Sequence, residues 1–337
     1  MLKASLSQCG LGPTRRSVLI GVASLGVGAR AANTEPRLHA VGVLQTASLT
    51  TNASARTVKV LRESLHKQGL VEGQNLALIL RSAEGNPLAL PALASEMVSL
   101  PVHVLLAFGP AAVQAAAAAS RTLPIVALDL ESDPVRSGWA RTLSRPDGNV
   151  TGLFLDLSEI AGKWLELLRE IVPRVQRVSA LWDATAGAAQ ADAVRQAAAR
   201  LNVQLTLHAL GSSSEMSAAL DASRTSRAQA LLMLSSPLTR NASQQVADFA
   251  LQNRLPAISP FRAFPDAGGL ISYGPDLDYF FARTADFADK ILHGAHVGEL
   301  PIEQPSKFEL VINAAAARTL NITLPPSMLI RANEVIG

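Results

Sequence analysis

Apolar positions along this chain follow two rhythms. Short stretches that are apolar at nearly every position fall at 39–44, 75–80, 103–107 and 124–128. Between them, apolar residues recur every three or four positions over 53–68, 87–99 and 110–120. The first rhythm predicts strands buried on both faces, and the second predicts amphipathic helices. Gly69 follows Lys67-Gln68 where a helix C-cap is expected, and Gly109-Pro110 sets a proline in the first turn of an alanine-rich helix. After a turn-rich segment at 131–152, the alternation restarts. Strands are expected at 177–182, 203–209, 230–234 and 256–259, with helices at 158–171, 187–200, 215–223 and 239–252. The tail adds a long helix at 277–293, a strand at 308–312 and a short helix from Asn313. Two successive βα series predict an α/β chain of two similar lobes, each a parallel sheet sandwiched by helices, with the tail crossing back between them. The boundaries expected are 38–152, 153–275 and 276–337.

One apolar run does not fit this scheme. Val18 to Gly28 is bounded by Arg16 and Arg30 and interrupted by Gly21, Ser24 and Gly26. A bilayer span takes about 20 apolar residues, so this run is too short for one. With Lys3, Arg15 and Arg16 before it and the A-x-A pattern of Ala29 and Ala31 after it, residues 1–31 read as an export signal cut after Ala31. The Arg15-Arg16 pair points to twin-arginine export; Val18, where that signal usually has Phe, keeps the general secretory route open.

Removing the leader changes the charge and the thiol chemistry. It holds four of the 30 basic side chains and none of the 27 acidic ones, so the chain from Ala32 carries a net charge of −1. The basic excess therefore offers no footprint for nucleic acid. Cys9 is the only cysteine and lies ahead of the apolar run, which leaves a chain without thiols, held by its core.

Familiar catalytic signals are missing. There is no G-x-x-x-x-G-K-[ST] loop, no G-x-G-x-x-G after a strand and no G-x-S-x-G elbow. The six histidines are scattered; only His293 and His296 are close, around Gly294 at a helix end. No metal and no cofactor is expected. What remains is a recurrence of polar, aromatic and Gly/Pro residues at the carboxyl ends of predicted strands, the edge where open parallel sheets bind ligands. The set is Gln45, Thr46, Phe108, Gly109, Pro110, the stretch 129–133 ending at Asp133, Asp183, Ser235, Ser236, Phe261 and Arg262. Helix N-termini after these strands suit a carboxylate, and Phe108 and Phe261 suit an apolar group. Each residue taken singly also serves as a cap or turn former. A two-domain α/β enzyme remains an alternative, with Asp133 and Asp183 as its acid/base pair.

Several stretches go further. Ile271-Ser272-Tyr273-Gly274, DYFFARTADFADKILHG and LPIEQPSKFELVINAAAARTLNITLPPSMLIRANEVI, together with VGVLQ, RSAEGNP, SRPDGNVTG and GKWLELLREIVP, resemble the bacterial ABC-transporter substrate-binding family often associated with tryptophan or tyrosine uptake. The resemblance implies a two-lobed, type I periplasmic binding protein-like fold that closes on a small molecule, with Tyr273 added to the ligand-contacting set. It also implies an inner-membrane permease as partner, a periplasmic location, a monomer, and no catalysis. The ligand it implies is an amino acid, aromatic or otherwise, or a small organic carboxylate. A periplasmic receptor serving a membrane sensor is the alternative. Pro124, Pro134 and residues 146–152 are expected near the crossings between lobes.

Overall fold

The computed structural model describes residues 38–304 and 307–337. Arg15, Arg16, Ala29 and Ala31 lie outside them. The first sheet has five parallel strands, β1 (His39–Gln45), β2 (Leu76–Ser82), β3 (Val104–Phe108), β4 (Ile125–Asp129) and β5 (Val150–Phe154), in the order β2-β1-β3-β4-β5. The second has seven: β6 (Arg177–Asp183), β7 (Gln204–Leu210), β8 (Ala230–Met233), β9 (Ala257–Ser259), β10 (Ile271–Pro275), β11 (Phe308–Asn313) and β12 (Glu334–Ile336). Their order is β12-β11-β10-β9-β8-β6-β7, parallel except where β10 meets β11. Every residue of β3, β4 and β5 is buried, as continuous apolar runs require. The edge strands β2 and β7 are only partly covered, and QLTLHAL in β7 alternates accordingly.

Local chemistry sets the helix ends. In Asn52–Lys67 the side chain of Thr51 accepts from the Ser54 amide, and Val58, Leu61 and Leu65 form the buried stripe. Gly109 (φ +88°) turns the chain so that Pro110 opens the next helix. A single helix was expected over 239–252. The structure has two, Pro237–Asn241 and Ser243–Gln252, because Ser236 caps an earlier start and Ala242 breaks the run.

The chain passes between the sheets three times: after β5, after β10, and between Glu303 and β11. Helix Leu277–Leu292 follows β10 yet packs on β3, β4 and the helix Asn52–Lys67 of the first sheet. The chain then runs beside β5, with Phe154 N donating to the Glu303 carbonyl at 3.0 Å, before returning to the second sheet. β5 reaches Phe154, two residues past the boundary expected at 152. It was not foreseen as a strand, nor were β10 and β12. The crossings also lie elsewhere than expected. Pro124 and residues 146–149 precede β4 and β5, at the amino ends of these strands, whereas the chain leaves β5 from its carboxyl end. Pro134 closes a local turn in which its carbonyl accepts from Trp139 N and Ala140 N. One apolar core is continuous through both lobes, with satellite clusters on the outer side of each sheet. No helix among the described residues is long and apolar enough to cross a membrane.

Candidate functional site

The carboxyl ends of strands from both sheets meet at a half-open cavity of about 50 Å³. From the first lobe it is lined by Gln45, Ala47, Phe108, Gly109, Leu128, Leu130 and Glu131, with Leu277 and Phe281 from the helix packed on that lobe. The second lobe supplies Ser236, Pro237, Arg240 and Phe261. Phe108 and Phe281 meet edge to face at 5.1 Å. The lobes are in direct contact around the cavity. Ser235 donates to Glu131 Oε1 at 2.5 Å, and Thr51 donates to Asn241 Oδ1 at 2.6 Å. Arg240 Nη2 reaches across to the Ala53 carbonyl at 3.0 Å and Thr57 Oγ1 at 2.9 Å. Larger grooves open outward from Arg240: one along Thr50–Arg56, Asn241 and Asp266, another along Arg262, Asp276 and Lys307.

Two charged groups stand out here. Arg240 belongs to the helix Pro237–Asn241, one turn after Ser236 at the sheet edge. Its Nε is buried without a hydrogen-bond partner, its guanidinium lies 5.4 Å from the Phe281 ring centre, and no carboxylate among the described residues is within ion-pair distance. Burial pushes its pKa down to about 10. Glu131 lies in the turn after β4. Burial, reinforced by the charge of Asp129, pushes its carboxyl well above the usual carboxylate range. Asp129 is also raised by burial, although Glu131 N and Ser132 N donate to its Oδ1 at 2.9 and 3.0 Å. Arg240 therefore lines the cavity as a buried guanidinium without a counter-ion among the described residues, while burial favours the neutral form of Glu131.

Of the residues singled out in the sequence, Gln45, Phe108, Gly109, Ser236 and Phe261 line this cavity. Ser235 stands just behind it, fixed by Gln190, whose Oε1 accepts from Ser235 N at 2.8 Å. Thr46 is buried and its carbonyl accepts from Gly85 N at 2.7 Å, while Pro110 opens the helix beyond Gly109. Asp183 caps the turn at Thr185 and adds negative charge near Glu131. The remainder lie apart. Asp133 caps its own turn at Val135 and Arg136. Arg262 pairs with Glu334 and Asp266 in the outer groove. Tyr273 stacks on Phe308 at 5.8 Å, and its carbonyl accepts from Trp164 Nε1 at 2.7 Å. Within the stretch 129–133 it is Glu131 that reaches the cavity. Arg240 and Phe281 carried no separate signal; each lies in the first turns of a helix that begins at the cleft.

Two α/β lobes, joined by three crossings and meeting at a phenylalanine-walled cavity, define a periplasmic binding protein-like fold. The chain belongs to the family described as ABC transporter substrate binding protein, whose family model matches residues 40–336. The tyrosine-binding protein of Clostridioides difficile (strain R20291) is 24% identical over 262 residues, 77% of this chain and 75% of that protein. A conserved domain protein from Vibrio cholerae O1 biovar El Tor strain N16961 superposes with a TM-score of 0.79 at 28% identity, covering 89% of this chain and 100% of that one. The ABC domain from Streptococcus pneumoniae, solved in complex with L-Trp, has the same fold at a TM-score of 0.77 and 23% identity, over 89% of this chain and 100% of its own.

Proposed function

We propose that this chain is the periplasmic solute-binding component of an ABC importer. It binds a small solute bearing an anionic group between its lobes and delivers it, unconverted, to an inner-membrane permease. The observation that carries the reading is Arg240, a cavity-lining guanidinium with a buried, unpartnered Nε and no carboxylate within ion-pair distance among the described residues. An anion placed there makes charge-assisted hydrogen bonds and bridges the lobes through Arg240, which already touches both. The family and its amino-acid-binding members support the same role. Ligand contacts from both lobes favour the closed state, which is the form a permease reads. The leader pattern at Arg15-Arg16 and Ala29–Ala31 supports export with cleavage after Ala31, and closure of two free lobes suits a monomer.

Thermal denaturation against amino acids, organic acids and amines tests the reading. A bound solute at a hundredfold excess over its Kd adds about 2.7 kcal/mol of stability. Uptake by the partner permease in vesicles, dependent on this protein and ATP, tests delivery. A panel that never moves the midpoint would overturn the proposal.

A further inference from the structure

Where the two lobes meet, carboxyl groups gather from both sides. Glu131, in the turn after β4, is buried at the interlobe cavity, and its side-chain partner is Ser235 of the second lobe, 2.5 Å away. Resting on the solute-binding reading above, in which the lobes part and close around a solute, we infer that Glu131 is a proton switch for that closure. It is neutral when the lobes meet and ionised when they part, so acid favours the closed form and rising pH opens it.

The surroundings of Glu131 are built from both lobes. From its own lobe comes Asp129, at the end of β4, and behind it Asp156, in the crossing after β5. From the second lobe come Asp183, at the end of β6, and the neutral side chains of Ser235 and Gln190. Arg240 lines the same cavity but turns its Nη2 to the Ala53 carbonyl and Thr57. No cation among the described residues lies within ion-pair distance of Glu131. Asp129 is itself incompletely satisfied. Its Oδ1 accepts from Glu131 N and Ser132 N, while its buried Oδ2 has no hydrogen-bond partner. An ionised Glu131 in this position would stand buried beside like charge, with Ser235 as its only side-chain donor. A proton removes that charge and needs no space.

Opening takes Ser235 and Asp183 away with the second lobe and returns Glu131 to water, where a glutamate ionises near about pH 4.3. In the closed form, burial and the charges of Asp129 and Asp183 hold its carboxyl above that value. A proton held more tightly in the closed form supports closure fully below the open-state pKa. That support is lost as pH rises through the closed-state one. Asp129 and Asp156 stay with the first lobe and its crossing in both states, so the change falls on Glu131. An anion held by Arg240 adds like charge to the cavity and favours the same proton.

Small-angle scattering of the ligand-free full chain from about pH 5 to about pH 8, above the ordinary carboxylate range, is the test, with circular dichroism at each point to follow the fold. The wild type should be compact at the acid end and expand as pH rises, its closed-to-open ratio falling at least about tenfold with unchanged dichroism. Glu131→Gln, neutral at every pH and able to keep the Ser235 contact, should stay compact throughout. Asp183→Asn, which keeps a cap on Thr185 without the charge, should reduce the expansion. A wild-type radius of gyration that ignores pH would overturn the inference, as would Glu131→Gln expanding like the wild type. Should Glu131→Gln fail to fold, Asp183→Asn decides, and full expansion there overturns the switch. Solute binding in the thermal panel above, by a protein whose radius ignores pH, removes the switch and leaves the solute-binding reading standing.

Discussion

Gly109 and Pro237 face each other across the cleft, so close that a Cβ on Gly109 would lie 2.5 Å from Pro237 Cγ. Gly109 also holds φ at +88°, in the left-handed region. Both conditions serve one end: the bare backbone after β3 lets the second lobe's helix Pro237–Asn241 come into contact. Gly109→Ala should cost about 1–3 kcal/mol from the backbone alone and should also hold the lobes apart. Small-angle scattering would show a larger radius of gyration that ligand no longer reduces.

Arg240 carries a desolvation penalty that no counter-ion offsets. An unpaired buried charge costs free energy, which its two hydrogen bonds to Ala53 and Thr57 offset only in part. Arg240→Met should therefore leave the ligand-free melting temperature unchanged or raised, while abolishing the shift caused by ligand. Paired melting curves with and without ligand measure both effects at once.

The carboxyls of Glu131 and Asp129 are both raised above their unfolded values, chiefly by burial. The closed, ligand-free form thus binds more protons than the unfolded chain above about pH 4.3. Its stability should fall as pH climbs from the ordinary carboxylate range through neutrality. Glu131→Gln should flatten that slope. Chemical denaturation at a series of pH values, wild type beside variant, checks the sign.

Trp164 is fully buried and gives its indole N–H to the Tyr273 carbonyl in β10. Trp164→Phe keeps most of the packing and leaves the carbonyl unpaired. The expected loss is about 1–3 kcal/mol in urea denaturation, with ligand affinity little changed, because neither residue lines the cavity.

The alternation of continuous apolar runs with helical stripes was enough to place the elements of both βα series. It failed where burial comes from distant neighbours. β5 reads as turn because Gly148, Asn149, Thr151 and Gly152 are small or polar, and it is a strand only because β4 and the returning segment at Glu303 cover it. β12, at the edge beside β11, is three residues long and mostly exposed, so it has no pattern to read. The cavity was half legible. Strand-end residues such as Gln45, Phe108 and Phe261 follow from the sheet rule. Arg240 and Phe281 reach the cleft from helices, and nothing in a helical repeat says which turn will face another lobe. Arg262 follows the end of β9 and Tyr273 lies within β10, but Glu334 and Phe308, from the returning tail, engage them first.

Helix Leu277–Leu292 buries Phe280, Phe281 and Phe287 against the first lobe, and β11 and β12 join the second sheet only after it. During synthesis, a nascent chain ending before residue 277 carries every strand of the first sheet and still lacks one of its covering layers. Neither lobe is finished until the last sixty or so residues have emerged. The two lobes are therefore one object in folding. A fragment expressed from either half alone leaves an open apolar face. Whatever keeps the chain soluble on its way to the folded state has to do so for nearly its whole length.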